Sequence, residues 1–297
     1  MKRTTERDGK GRLHLSVHRN PVSGEEALTL NGPVFKEKWQ DDLALAAAST
    51  AHGTLRGAPS LAGTVELARN AMAATSRLAD GLLARAPAGA VACQAGCDHC
   101  CYQAVGVTPP EALAIFDHLN STRSRDELAR ITAKVSEHHA RTHDLSSEER
   151  FSPDHPCPFL EAGNCSIYEA RPLSCRGMNS LDAGECATRL REPEARAAFL
   201  ASGRGGHSYL EPIRAFHAIS AGLQLGLAEL YNLDMRPLEL TAALQLLLAG
   251  PESGPRDWIS GEKPFEAAVR TDATPDPGLR DLSGAIDLGP LAPTSRR

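Results

Sequence analysis

Eight cysteines are the residues of this sequence whose type and spacing could do chemistry. Four of them lie within nine residues, as Cys93, Cys97, Cys100 and Cys101. Gaps of two and three residues let the thiolates of one tight loop converge on one centre, as they do in zinc and iron–sulfur sites. Gly96 gives this loop the freedom to fold back on itself. The spacing predicts a metal centre with sulfur ligands.

The other four cysteines are spaced more widely, as Cys157, Cys165, Cys175 and Cys186. A single turn cannot gather them, so folded loops must do so. Gly163 and Asn164 predict a turn before Cys165, and Ser166 with Glu169 predicts a short helix that Pro172 ends.

Two arginines, Arg171 and Arg176, flank Cys175. Four thiolates around a divalent ion, or around an oxidised four-iron cluster, leave about two net negative charges. We expect the guanidinium groups to offset this charge.

Cys100 and Cys101 are adjacent, and consecutive side chains diverge, so they seldom fill two corners of one tetrahedral site. We expect them to serve different ions or different irons. The cysteines then form two four-ligand sites that share this pair, or one polynuclear centre, and the residues leave both open. His99 and His155 lie beside the two groups and are alternative ligands.

Two other interpretations of the cysteines fit less well. A store of free thiols or disulfides does not account for the clustering in a reducing compartment. The spacing Cys93-x3-Cys97-x2-Cys100 also occurs in the radical S-adenosylmethionine loop, but the helical sequence downstream lacks the strands of a βα barrel.

The composition excludes several classes of protein. The balance of 32 basic against 37 acidic residues, without a basic patch rich in aromatics, argues against a nucleic-acid partner. No run of 18 apolar residues occurs, and the N-terminus lacks the apolar core of a secretory signal. We therefore expect a cytoplasmic protein without a membrane partner.

Only 4% of the residues are aromatic while alanine and leucine are abundant, which favours a mostly α fold. The prediction is a single helical domain organised around a cysteine-ligated metal centre. Residues 1–58 form an irregular N-terminal arm, residues 59–250 the metal-binding domain with its motif core at 90–190, and residues 251–297 a mostly disordered tail.

Several helices follow from local patterns. Apolar spacing predicts a helix over 60–86 that delivers the chain to Cys93. Capping boxes that begin at Thr108 and Ser124 predict two helices between the cysteine groups. Apolar stripes over 213–230 and 238–248 predict two helices that close the core.

The cysteine-bearing sequence resembles the CxxCxxCC family of zinc- or iron-chelating proteins, the YkgJ-like cysteine-cluster proteins. The matching residues are Cys97-x2-Cys100-Cys101 with Cys93 before them, CPFL at 157–160, and IYExRPxxCR at 167–176. The first gap here is three residues, where the family name has two.

The resemblance implies an eight-cysteine metal site of an iron–sulfur, oxidoreductase-like kind. A relative with a similar cysteine block is the flagellin lysine methylase, so the resemblance also implies methyl transfer. We expect a metal-binding protein that holds an iron–sulfur cluster or zinc and acts as an oxidoreductase. The alternatives are a structural zinc module that braces a scaffold for a protein partner, or a protein methyltransferase.

Overall fold

The computed structural model describes residues 15–31, 34–35, 37–202, 207–251 and 253–270. This part of the chain is mostly helical, as the sequence predicts. Its helices are α1 (Lys38–Leu55), α2 (Leu61–Leu83), α3 (Pro109–Thr122), α4 (Arg125–Thr142), α5 (Ser147–Arg150), α6 (Leu173–Gly177), α7 (Ala183–Arg191), α8 (Pro193–Ser202), α9 (Leu210–Tyr231), α10 (Leu240–Ala249) and α11 (Gly254–Ile259).

The described strands form three short antiparallel pairs, β1 (Leu15–Arg19) with β2 (Glu26–Leu30), β3 (Gly106–Val107) with β6 (Leu238–Glu239), and β4 (Leu160–Glu161) with β5 (Asn164–Cys165). The second pair joins the start of α3 to the start of α10, because Val107 lies opposite Leu238. None of the described helices is long and apolar enough to cross a membrane.

The long helices that local sequence signals predict are confirmed, whereas the short helix expected from Ser166 and Glu169 is a single 3₁₀ turn, Tyr168–Ala170. Both capping boxes form, since the side chains of Glu111 and Glu127 reach back to the backbone N–H groups of Thr108 and Ser124. The helix predicted over 60–86 is α2, which begins after Ser60. Helices α9 and α10 close the core over the two predicted stripes.

Residues 38–55, predicted to belong to an irregular arm, form the 18-residue helix α1. Its buried face is made of small residues, Ala44, Ala48 and Ala51, which give no stripe of large apolar side chains. The hairpin of β1 and β2 packs beside α1 and α9 around a second small core that contains Leu15 and Leu28.

Helices α1 and α9 pack backbone against backbone. A Cβ atom added at Gly222 would lie 2.1 Å from the carbonyl oxygen of Ala44, and one at Gly226 would lie 3.2 Å from the Cα of Ala48. Only glycine allows this approach at Gly222, so the small residues of both helices fix the contact.

The folded chain continues beyond residue 250, where the sequence predicts a mostly disordered tail. Trp258 of α11 is fully buried, and its Nε1 donates to the carbonyl oxygen of Asp234 at 2.8 Å. Phe265 is buried as well, and Arg236 binds the carboxylates of Asp234 and Glu266. These anchors hold residues 253–270 on the core, and residues 271–297 lie outside the described part of the chain.

We predict that Gly222→Ala lowers the free energy of unfolding by about 2 kcal/mol, because the added methyl group overlaps the α1 backbone. Urea denaturation measures the change. Gly81→Ala in α2 is the matched control, since a Cβ there meets nothing within 4 Å and should stabilise the helix by about 0.5–1 kcal/mol. Equal effects of the two substitutions would contradict the close contact.

Candidate metal centre

The first cysteine group lies in the loop between α2 and α3. Cys93 and Cys100 are exposed there, whereas Cys97 and Cys101 are half-buried. The loop turns back on itself as expected, because Gly96 has a φ of 85° and the N–H of Cys101 donates to the carbonyl oxygen of Asp98 at 2.7 Å. A loop with this geometry presents several thiols toward one region.

The four remaining cysteines come from different short elements, and all are half-buried. Cys157 precedes the β4–β5 hairpin, Cys165 lies in β5, Cys175 lies in α6 and Cys186 lies in α7. The second group is therefore gathered by the folding of separate elements, as its wide spacing predicts.

The two cysteine-bearing regions contact each other through their backbones. The N–H of Cys157 donates to the carbonyl oxygen of Cys101 at 2.7 Å. At the other side, the N–H of Ala92 donates to the carbonyl oxygen of Ser180 at 2.9 Å, and the N–H of Ser180 donates to the Sγ of Cys93 at 3.2 Å. The structure thus brings the first loop onto the second group of cysteines.

Electrostatic interactions sort the thiols into two sets that meet at Cys100. Burial raises the pKa of Cys175, and negative charge on Cys100, Cys157 or Cys165 raises it further. Burial also raises the pKa of Cys93, and negative charge on Cys97, Cys100 or Cys186 adds to this increase. A hydrogen bond with Cys101 raises the pKa of Cys100 well above its usual range.

Buried thiols hold their protons unless a positive charge stabilises the thiolate. Burial raises the pKa of Cys157 to about 12 and raises that of Cys165. Backbone N–H groups act in the opposite direction, because Phe159 donates to the sulfur of Cys157 and Ile167 donates to that of Cys165. These N–H groups point at the sulfurs and would stabilise thiolates. A bound metal ion would displace the thiol protons, so the two cysteines fit the role of metal ligands.

The spacing of the sulfurs limits what they could hold. In a tetrahedral zinc site with bonds of about 2.3 Å, the sulfurs lie about 3.8 Å apart. Within the described residues, the one group of three or more ligand atoms that lie within 4.8 Å of each other is Asp182, Glu185 and His207. No three cysteine sulfurs of the described chain are that close, so they are spread more widely than one tetrahedral site.

The Asp182 group is held by hydrogen bonds among its own residues and to their neighbours. The Nδ1 of His207 lies 2.8 Å from the carboxylate of Glu185, and Asp182 caps α7 by accepting from the N–H of Glu185. No sequence motif marks these residues. Their contacts fix the start of the helix that carries Cys186.

Glu111 joins the two cysteine-bearing parts of the chain. Its buried carboxylate accepts from the N–H of Thr108 at 2.9 Å, from the Thr108 hydroxyl at 2.8 Å and from the N–H of Leu173 at 2.8 Å. Leu173 begins α6, which carries Cys175, whereas Thr108 begins α3 just after the first cysteine loop. Burial raises the pKa of Glu111, which these hydrogen bonds oppose.

Arg176 and Arg171 lie where the sequence places them, beside Cys175. The buried Arg176 donates to the carbonyl oxygen of Arg171 at 2.8 Å and to that of Glu169 at 2.5 Å. Arg171 lies over the ring of Tyr168, at 4.2 Å from its centroid. The charge of Arg171 lowers the pKa of Cys100, Cys165 and Cys175 against the larger effects that raise them.

Sequence reasoning missed Arg150 and His138. His138 falls in a polar stretch that suggests an exposed helix face, yet only 2% of it is exposed. Arg150 ends a short run of charged residues and is also buried, with its Nη2 2.6 Å from the Nε2 of His138. A contact between residues that local periodicity does not bring together leaves no signal in one sequence.

The two alternative histidine ligands stay predictions. His99 lies 3.7 Å from the carboxylate of its neighbour Asp98. His155 has a buried Nδ1 without a hydrogen-bond partner, and its carbonyl oxygen accepts from Arg150.

A helical scaffold that brings two cysteine-bearing regions into contact is the arrangement expected of a metal-chelating domain. Residues 92–192, about a third of the chain, match the model of the CxxCxxCC family, which is described as a putative zinc- or iron-chelating domain. The resemblance expected from the sequence is therefore confirmed over this segment, and with it zinc or iron as the metal. No curated protein and no solved structure matches the chain.

We predict that Glu111→Gln lowers the free energy of unfolding by about 2 kcal/mol, because an amide NH₂ would face a donor on Thr108 or Leu173. Chemical denaturation of the metal-free chain measures this. Glu127→Gln is the matched control: Glu127 forms the same capping box on the surface of α4, where water replaces lost bonds at a cost below about 1 kcal/mol. A loss for Glu111→Gln no larger than that of the control would contradict the role of Glu111.

Proposed function

We propose that the eight cysteines together hold a polynuclear iron–sulfur centre that serves a redox function. The observation that carries this proposal is the contact of the first cysteine loop with the second group, from the N–H of Cys157 to Cys101 and from the N–H of Ser180 to Cys93, with sulfurs spread too widely for one tetrahedral site. Thiolates bound to different metals of one cluster stand farther apart than thiolates bound to one ion.

The chain supplies the ligands and the environment for such a centre. Sulfur donors come from five short segments, backbone N–H groups of Ser180, Phe159 and Ile167 donate to three of the sulfurs, and arginines stand close by. When bound, an iron–sulfur centre supplies one-electron transfer at a potential set by its charge and hydrogen bonds.

The exposure of the cysteines suggests how such a centre would be approached. Cys93 and Cys100 are exposed, whereas the other six are half-buried. Electrons or a redox partner would therefore reach the centre from the side of the first cysteine loop. Helix α6, which carries Cys175, is covered by α9, where Gly177 packs so tightly against Phe216 that an added Cβ would lie 2.1 Å from the ring.

Eight free cysteines fit a reducing compartment, so a cytoplasmic location belongs to the same proposal. The structural zinc module is the competing function, and it would leave the protein without redox activity. Methyl transfer remains a prediction from the resemblance alone.

Anaerobic purification with elemental analysis tests the proposal. We expect a brown protein that contains iron and sulfide and shows an absorption band near about 400 nm that dithionite bleaches. A colourless protein with about two zinc ions per chain would instead support the structural module.

Paired substitutions test whether the cysteines form one centre. In a single polynuclear centre, Cys175→Ser and Cys186→Ser should each lose most of the bound metal, because both residues hold the same cluster. If the two thiol sets are separate sites, each variant should lose about half of the metal and keep the rest. Metal analysis of both variants beside the unmodified protein decides between these arrangements.

Metal removal should destabilise the protein, because residues 93–101 contain no buried side chain and depend on the centre to hold them in place. We expect the metal-free chain to melt at a temperature at least several degrees below that of the loaded chain. Thermal denaturation followed by circular dichroism measures both. Identical melting temperatures would show that the loops fold without metal.

A further inference from the structure

Arg150 carries a buried positive charge that forms no ion pair with a described carboxylate. Only 4% of the residue is exposed. Its Nη1 donates to the carbonyl oxygen of Tyr102 at 3.0 Å and to that of His155, and its Nη2 contacts the Nε2 of His138. Within the described residues Arg150 has no ion pair within 4.0 Å. A guanidinium group keeps its proton in proteins, so this charge is permanent.

His138 must be uncharged where it contacts Arg150. An arginine only donates, so the Nε2 of His138 must accept and cannot carry a proton. Burial lowers the pKa of His138 to about 3, and the charge of Arg150 acts in the same direction. Helix α4 therefore offers Arg150 a hydrogen bond without a negative charge. Glu239 attracts Arg150 from farther away, and its carboxylate is occupied in capping α10.

The position of Arg150 indicates what its charge is for. Tyr102 follows Cys101 directly, and His155 lies two residues before Cys157, so the guanidinium group bridges the backbones of the two cysteine-bearing segments. Negative charge on Cys157 attracts Arg150, and Arg150 lowers the pKa of Cys157 in return. Apart from Glu239, the group whose negative charge attracts Arg150 is Cys157. Binding of a metal by Cys157 and its neighbours would make these sulfurs thiolates and so give Arg150 a negative partner.

Arg176, next to Cys175, is a second buried arginine whose hydrogen bonds go to uncharged groups. It is buried, and its three hydrogen bonds go to the carbonyl oxygens of Arg171 and Glu169 and to the hydroxyl of Ser76. Negative charge on Cys175 and on Glu111 attracts Arg176, as negative charge on Cys157 and on Glu239 attracts Arg150. Protonated thiols give neither arginine a negative partner among the cysteines, whereas thiolates around a metal leave a net negative charge.

We propose that Arg150, held by the neutral His138, is a fixed counter-charge of the metal–thiolate centre on the Cys157 side, so that the occupied centre is anionic. This inference rests on the proposed metal centre and adds a residue outside the cysteine motif. The arginine acts through the thiolates and is a positioning residue.

Four substitutions separate the charge from the hydrogen bonds. Arg150→Gln removes the charge and keeps a donor, whereas Arg150→Lys keeps the charge. His138→Glu cancels the charge by giving Arg150 a carboxylate partner, whereas His138→Gln keeps a neutral acceptor. The expected result is that Arg150→Gln and His138→Glu each release metal to a chelator at least tenfold faster than the unmodified protein. Arg150→Lys and His138→Gln should stay within about threefold of it.

The same variants have a second readout if the centre contains iron. Loss of a nearby positive charge disfavours reduction, so the midpoint potential of Arg150→Gln and His138→Glu should fall. A tenfold change in the reduction equilibrium corresponds to about 59 mV for one electron. The two charge-preserving variants should keep the potential of the unmodified protein.

A purely structural role predicts the opposite pattern. His138→Glu would then strengthen the contact with Arg150, raise the melting temperature and leave metal release unchanged. That result would overturn the inference while leaving the proposed function intact. An unmodified protein that binds no metal would instead overturn the proposed function. If Arg150→Gln does not fold, the contrast between His138→Glu and His138→Gln still decides.

Discussion

The buried carboxylate of Glu111 is the contact on which the arrangement of the cysteines depends. It accepts hydrogen bonds from the first turn of α3 and from the first residue of α6 at the same time. An unpaired carboxylate in such a place would cost several kcal/mol, so its three donors must stay where they are. The capping box of α3 thereby also forms a tertiary contact with α6. The starts of these two helices set the distance between the first loop and Cys175.

The second constraint is the balance of charge in this small volume. Buried thiols raise each other's pKa, whereas buried arginines and backbone N–H groups favour thiolates. In the metal-free chain these tendencies oppose each other, with protonated sulfurs beside buried guanidinium groups. A cation bound by thiolates satisfies both, because the thiolates then carry the negative charge that the arginines favour.

Local signals allowed much of the fold to be predicted from sequence. Capping boxes and proline at the helix start fix α3 and α4 within a few residues, and the cysteine spacing indicates the segment that the family model matches. Helix α1 was missed because its buried face is alanine, whose partners Gly222 and Gly226 lie far along the chain. Trp258, Arg150 and His138 were missed because their burial depends on elements that are distant in sequence.

The long segment between the two cysteine groups has a consequence for the order in which the centre is built. It separates Cys101 from Cys157 by 55 residues, and Cys186 is made later still. Closing a flexible loop of that length costs entropy, and α3 and α4, which fill the segment, pack on α10, which is made after both cysteine groups. During synthesis the first loop must therefore wait with unprotected thiols. Delivery of the metal is expected to follow translation of the second group, when the last ligands arrive.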